Sequence, residues 1–179
     1  EQIVYFGDTA HLPYGDKEPY SIKHYSTEIA KFLLKQNCKV IVMACHTASS
    51  NAFKEVVDTV KGKAIVINVV DPVINYLKRN QNKVIGVIGT KGTINSGIYE
   101  NKVKEENINK VIKTLATPLL CPMIEEGFIN DQISHTVIQS YLEDKRIENI
   151  DAIVLACTHY PLIKKEINEF YNSNVEVID

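Results

Sequence analysis

Two cysteines stand at the ends of near-identical apolar runs, each with a threonine and a histidine beside it. Val40-Ile41-Val42-Met43-Ala44-Cys45 leads into His46-Thr47, and Ala152-Ile153-Val154-Leu155-Ala156-Cys157 leads into Thr158-His159. A deprotonated thiol is a strong nucleophile and base, and a helix N-terminus or a neighbouring imidazole helps it lose its proton. Three chemistries suit such a pair: a disulfide, a metal site, or proton transfer. A disulfide fits poorly, because the four cysteines (Cys38, Cys45, Cys121, Cys157) lack the dense spacing of a secreted framework. Zinc would find Cys45, His46, Cys157 and His159 as a nominal set, yet no Cys-x2-Cys knuckle is present. No metal is therefore expected. In the remaining chemistry one thiolate takes a proton from one face of a carbon and the opposed thiol returns one to the other. That reaction inverts a stereocentre. Cys38 and Cys121, without such neighbours, read as small buried hydrophobes.

The elements around the two cysteines say how they are positioned. Both apolar runs have the unbroken character of strands buried on two faces of a parallel sheet. Open sheets of that kind bind ligands at the carboxyl ends of their strands, where both thiols fall. Ile22, Tyr25, Ile29, Phe32 and Leu33 form a helical stripe, and Ala48, Ala52, Val56, Val57 and Val60 form another after Cys45. Residues 3–6, 64–69, 83–88 and 111–115 read as further strands, and Asp71-Pro72 opens a helix through Leu77. Helices are expected near 94–104, over 131–142 and after Pro161, and a last strand over 175–179. Strands alternating with helices mean parallel α/β. Each half begins with a strand and a Gly/Thr turn (Gly7-Asp8-Thr9; Gly89-Thr90 with Thr93) and later presents Ala-Cys. The fold class is thus two similar doubly wound parallel-sheet lobes related by a pseudo-twofold axis, with the site in the cleft. The lobes are expected at 1–69 and 70–179.

Bulk properties narrow the partners. The chain has 179 residues, 45% of them apolar and 23% charged, with a net charge of −2. That composition suits an ordinary globular protein with a core, and it carries no basic footprint for nucleic acid. The apolar runs are too short to cross a bilayer, and scattered reduced thiols point to a cytoplasmic setting. The chain opens on Glu1 directly ahead of an apolar run and closes on another, so further chain is expected on both sides, returning to the first lobe after 179.

Several segments resemble the glutamate racemases of the aspartate/glutamate racemase family, in the family's order and across nearly the whole chain. They are Gly7-Asp8-Thr9-Ala10 with Pro13-Tyr14-Gly15, Ala44-Cys45-His46-Thr47-Ala48-Ser49, and Gly86-Val87-Ile88-Gly89-Thr90 with Thr93 and Ser96. Pro118-Leu119-Leu120-Cys121-Pro122 with Glu125 and Gly127, and Cys157-Thr158-His159-Tyr160-Pro161-Leu162, complete the set. The resemblance implies a cofactor-independent racemase acting on L- and D-glutamate and supplying D-glutamate for peptidoglycan. It implies that Cys45 acts on the D-enantiomer and Cys157 on the L-enantiomer, with His159 and Glu125 assisting the second cysteine. Tyr14, Gly15, Thr47 and Thr158 match substrate-binding positions, as do Thr90 and Thr93 in a carboxylate-contacting turn. A small-molecule substrate and a homodimer are the partners it implies.

Two departures set the alternatives. An Asp-Ser-Gly motif whose Asp supports the first cysteine in the family is absent from these residues, which leaves a truncated or inactive relative open. His46 stands where the family usually has Asn; it is counted among the substrate-binding residues, and its different hydrogen bonding leaves a racemase for another amino acid, such as aspartate, open as well. Single-cysteine decarboxylases and isomerases of the superfamily do not account for the second signature at 157–159. A thiol-based metal or redox module is the non-enzyme alternative. His11 and His24 read as surface residues, His135 as a solvated or capping residue, Asp8 as a turn anchor and Glu126 as solvated.

Overall fold

Ile22, Ser26 and Ala30, at helical spacing, form the buried side of α1 (Pro19–Lys35), the first long element of the chain. It follows two short 3-10 turns, Thr9–His11 and Tyr14–Asp16. The computed structural model describes residues 2–179. Next come β1 (Val40–Met43), α2 (His46–Val60) and β2 (Ile65–Asn68). β1 and β2 pair in parallel from Val40↔Ile65 to Met43↔Asn68. Ile41 and Met43 join Ile22, Ala52, Val56 and Val60 in the core of this first lobe.

Burial of β1 differs from the expectation of a strand covered on both faces. Its side chains alternate, with Ile41 and Met43 inward and Val40 and Val42 exposed at 49% and 59%. Helices cover one face of this two-stranded sheet among the described residues, so only alternate residues leave water. The strand expected over residues 3–6 does not form either: Ile3 and Tyr5 are almost fully exposed, although Phe6 leans on Phe32. An apolar run becomes a strand only where a neighbouring strand offers its hydrogen bonds and a packing surface.

The second lobe contains α3 (Val70–Arg79), β3 (Val84–Gly89), α4 (Lys91–Asn95), α5 (Ile98–Glu105) and β4 (Val111–Ala116). It continues with α6 (Leu120–Glu125), α7 (Gln132–Leu142), β5 (Ala152–Ala156), α8 (Lys164–Phe170) and β6 (Glu176–Ile178). Its four strands lie in the order β4-β3-β5-β6, all parallel. β5 is central and every residue of it is buried, as the apolar run requires. Ile153 and Leu155 face a core with Leu120, Ile138 and Ile163, while Ala152 and Val154 face one with Ile74, Leu77 and Tyr99. Helices on both faces make this lobe doubly wound. The helix expected near 94–104 is broken in two, because Gly97 takes a left-handed backbone (φ +64°) between α4 and α5. The segment after Pro161 starts as a 3-10 turn, Tyr160–Ile163, before α8. The two lobes form the α/β, parallel-sheet architecture read from the sequence.

Candidate active site

Cys45 follows β1 and occupies the N-cap of α2. Burial pushes its thiol above the ordinary value, and the nearby backbone N–H groups of Ala48 and Thr47 and the Thr47 hydroxyl, which favour a thiolate, hold that rise back. The first turn of α2 thus offers a thiolate three donors. Thr47, next in the helix, is buried and turns its hydroxyl toward the other lobe. Its Oγ1 lies 2.8 Å from Thr90 Oγ1 and 3.2 Å from Thr93 Oγ1, and the last two are 3.1 Å apart. Thr90 also caps α4, its side chain accepting from the Thr93 N–H. Three hydroxyls from two lobes therefore meet at one point.

Small residues let the turns approach this closely. A Cβ on Gly15 would lie 2.6 Å from Thr90 Cβ, and one on Gly92 would lie 2.9 Å from Thr47 Cγ2. Asn51, one helical turn after Thr47, donates to the carbonyls of Thr47 (2.9 Å) and Gly92 (3.0 Å). Thr158, beside the second cysteine, donates to the carbonyl of Ala44, beside the first, at 2.9 Å. The turns carrying Gly15, Cys45-Thr47, Thr90-Thr93 and Cys157-His159 are thus joined by direct contacts.

Tyr14 is half-buried and donates to Asp8 Oδ2 at 2.5 Å, while Asp8 Oδ1 lies 2.7 Å from His11 Nδ1. Burial and the Asp8 carboxylate both push the Tyr14 hydroxyl up, which keeps it protonated. Asp8 is opposed by burial, yet its bonds to Tyr14 and His11 hold it below the ordinary carboxylate range. His11 is accordingly no isolated surface residue: the 3-10 turn folds its ring back onto Asp8 and stacks it on Tyr25 at 3.9 Å. His24 is exposed, as read from the sequence, and Glu126 is solvated. His135 is exposed as well, with Nε2 3.4 Å from the carboxylate of Glu166.

Around Cys157 the sequence missed one residue. Cys157 is buried at the end of β5, and His159 Nδ1 lies 3.7 Å from its sulfur. The same Nδ1 is 3.5 Å from the sulfur of Cys121, brought in by α6, an element the hydrophobic pattern did not announce. Cys121 is therefore not the plain core residue its isolation in sequence implied; α6 packs against the turn after β5 and aims it at the site. Glu125, one turn further along α6, is hydrogen-bonded to His159 Nε2. An ionised carboxylate only accepts, so Nε2 carries a proton, and in the neutral ring Nδ1 then presents its lone pair to the two sulfurs. The two thiols lie close enough to titrate as a pair. The neighbouring Cys157 thiol lowers the Cys121 sulfur to about 7, and that neighbour together with burial pushes Cys157 up.

His46 is the first residue of α2 and mostly buried, and burial lowers its imidazole to about 4. It is neutral at physiological pH, and its Nδ1 is buried without a hydrogen-bond partner among the described residues. It shares no hydrogen bond with the other site residues described. No helix among the described residues is long and apolar enough to cross a membrane.

Comparison with known proteins covers the whole chain. It is similar to the glutamate racemase of Geobacter metallireducens, 38% identical over 180 residues, covering 100% of this chain and 66% of that protein. The glutamate racemase of Aquifex pyrophilus is 42% identical over 178 residues, covering 99% of this chain and 68% of its own length. The crystal structure of glutamate racemase from Francisella tularensis in complex with D-glutamate superposes with a TM-score of 0.92 at 37% identity. That match covers 100% of this chain and 66% of the other, so the chain spans about two thirds of the length of the relatives it matches. The family pattern described as Asp/Glu/Hydantoin racemase fits residues 3–179, and its fit joins both cysteine-bearing lobes in one assignment: the chain belongs to the Asp/Glu/Hydantoin racemase family.

Proposed function

We propose that this chain carries the acid–base apparatus of a cofactor-independent glutamate racemase. The observation that carries this reading is the Thr158–Ala44 hydrogen bond, which ties the backbone beside one cysteine to the backbone beside the other. Cys45 is also near enough to Cys157 to oppose its ionisation electrostatically. Two sulfurs so placed suit a relay across one carbon. Cys45 acts on the D-enantiomer and Cys157 on the L-enantiomer, as the family resemblance implies.

The surrounding groups serve that transfer in distinct ways. An amino acid's α-proton is weakly acidic, and an unperturbed thiol with a pKa of about 8.5 is largely protonated at neutral pH. His159 Nδ1, held by Glu125, accepts the proton that Cys157 must release before it can act as a base. The helix N–H groups at Thr47 and Ala48 stabilise the Cys45 thiolate once it forms. Thr47, Thr90 and Thr93, with the backbone N–H groups at Gly15 and Thr158, supply neutral donors for substrate carboxylates, and Tyr14, its proton held by Asp8, presents its hydroxyl oxygen to the substrate ammonium group. Those contacts strengthen as negative charge develops next to the α-carboxylate.

Residues 1–69 and 70–179 form the two lobes of this reading, supported by a first-lobe core that ends at Val66 and by the packing of α3 on β3. Glutamate is the small-molecule partner, D-glutamate for peptidoglycan is the product, and four free thiols suit a reducing cytoplasm. Incubation with L-glutamate in deuterated water tests the chemistry. D-glutamate carrying deuterium at Cα is expected; no inversion and no label would reject the reading. Cys157→Ser should abolish racemisation while Cys45 still exchanges the α-proton of D-glutamate.

A second reading, a racemase for another amino acid such as aspartate, is favoured by His46, whose neutral ring replaces the donor–acceptor pair of an amide. Comparing turnover of aspartate and glutamate by the wild type and His46→Asn separates the two.

A further inference from the structure

Cys121, Cys157 and His159 bring two sulfurs and one imidazole nitrogen within 4.8 Å of one another. His159 Nδ1 is 3.5 Å from one sulfur and 3.7 Å from the other. Tetrahedral zinc, with Zn–S of about 2.3 Å and Zn–N of about 2.0–2.1 Å, places sulfur and nitrogen ligands about 3.6 Å apart. Both sulfur–nitrogen edges of such a tetrahedron are therefore already formed. Outside it, Glu125 holds His159 Nε2, the carboxylate–imidazole pairing that orients a zinc-bound histidine and raises its basicity. Two thiols and an imidazole are a soft set, suited to zinc and unsuited to magnesium or calcium. Cys45 and His46, which the sequence placed in a nominal zinc set, are not part of this cluster.

We propose that Cys121, Cys157 and His159 form a three-ligand site for zinc, and that occupancy switches the enzyme off by holding Cys157 as a metal ligand. The ion displaces the protons of both thiols, which pass to solvent, and coordinates Sγ of each with Nδ1 of His159. The fourth position is left to water. A coordinated Cys157 can neither take nor return an α-proton, so the site is inhibitory. That consequence rests on the racemase reading; the binding does not.

Titration of the reduced protein with cobalt(II), a spectroscopic stand-in for zinc, tests binding without any turnover. One cobalt per chain is expected, with a thiolate-to-cobalt charge-transfer band and tetrahedral visible bands, both removed by one equivalent of zinc. Cys121→Ser and Cys121→Val should each lose the charge-transfer intensity or weaken binding at least ~10-fold, while Cys45→Ser should bind as the wild type does. Glu125→Gln should weaken binding by ~10-fold or more through the loss of the outer carboxylate. Circular dichroism and melting of each variant separate loss of a ligand from loss of fold. Absence of the thiolate band, or its full survival in both Cys121 variants, would overturn the site. In the racemisation assay, zinc should inhibit the wild type, a chelator should restore it, and Cys121→Val should resist zinc relative to its own metal-free rate. Cobalt binding without any turnover would keep the site and remove the racemase reading. Turnover without cobalt binding, or zinc inhibition undiminished in Cys121→Val, would do the reverse.

Discussion

The hydroxyl of Thr158 donates to the carbonyl of Ala44, so the residue after one cysteine is bonded to the residue before the other. A bond at this place sets the spacing of the two strand ends more than it stabilises the fold. Thr158 is exposed, and an exposed hydrogen bond contributes less than about 1 kcal/mol. Thr158→Val should therefore lower the unfolding free energy by less than about 1 kcal/mol, yet reduce kcat/KM for glutamate by ~10-fold or more through misalignment. Denaturant melts and racemisation kinetics on the same preparation check the two parts; Thr158→Ser should restore both.

Gly15 meets Thr90 with no room for a methyl group, since its Cβ would come within 2.6 Å of a branched side chain close to the backbone. Gly15→Ala should destabilise by about 1–3 kcal/mol, the usual range for overpacking, and should also disturb the Thr47–Thr90–Thr93 hydroxyl cluster. Gly62 has nothing within 4 Å, so Gly62→Asn, an amide tolerated at its φ of +73°, is the matched control. Urea unfolding of the three proteins gives the comparison. Equal stability of Gly15→Ala and wild type would contradict the close approach.

His46 makes stability depend on pH. Its imidazole titrates at 6.5 when unfolded and at about 4 when folded, because burial disfavours the cation. The folded value is depressed, so the unfolded state binds more protons in this window. The contribution is complete above 6.5 and is lost as pH falls toward about 4. Wild type should lose about 1–2 kcal/mol more than His46→Asn between about pH 7 and about pH 5. Parallel stability–pH curves for the two proteins would show that His46 is not held neutral by the fold.

The Cys121–Cys157 pair predicts a reactivity that neither cysteine would show alone. The Cys157 thiol beside it lowers Cys121 to about 7. Removing that thiol in Cys157→Ala should move the midpoint of Cys121 alkylation upward, toward the ordinary thiol value of about 8.5. Residue-resolved alkylation with mass spectrometry across pH measures it. An unchanged midpoint would assign the low value to His159 rather than to the sulfur.

The chain's order of strands and helices was legible because periodicity is local. Buried strands such as β5 read as continuous apolar runs, and α1 and α2 carry their stripes at helical spacing. The same locality put Cys45 and Cys157 at strand ends and their Thr and His neighbours beside them. It failed where a partner decides the outcome. Among the described residues, 3–6 have strand composition but no neighbouring strand, and β1 is buried on one face because helices cover only one. Gly97 split a helical pattern by a left-handed backbone angle, which periodicity does not report. Cys121 lies far from Cys157 in sequence, and only the packing of α6 beside the turn after β5 makes the two sulfurs neighbours. The amino-acid order thus determined which residues carry the chemistry and on what kind of element each sits, since both follow from short-range pattern. Which groups touch was decided by tertiary packing, because distances between segments depend on how whole faces bury one another, and no local pattern encodes that.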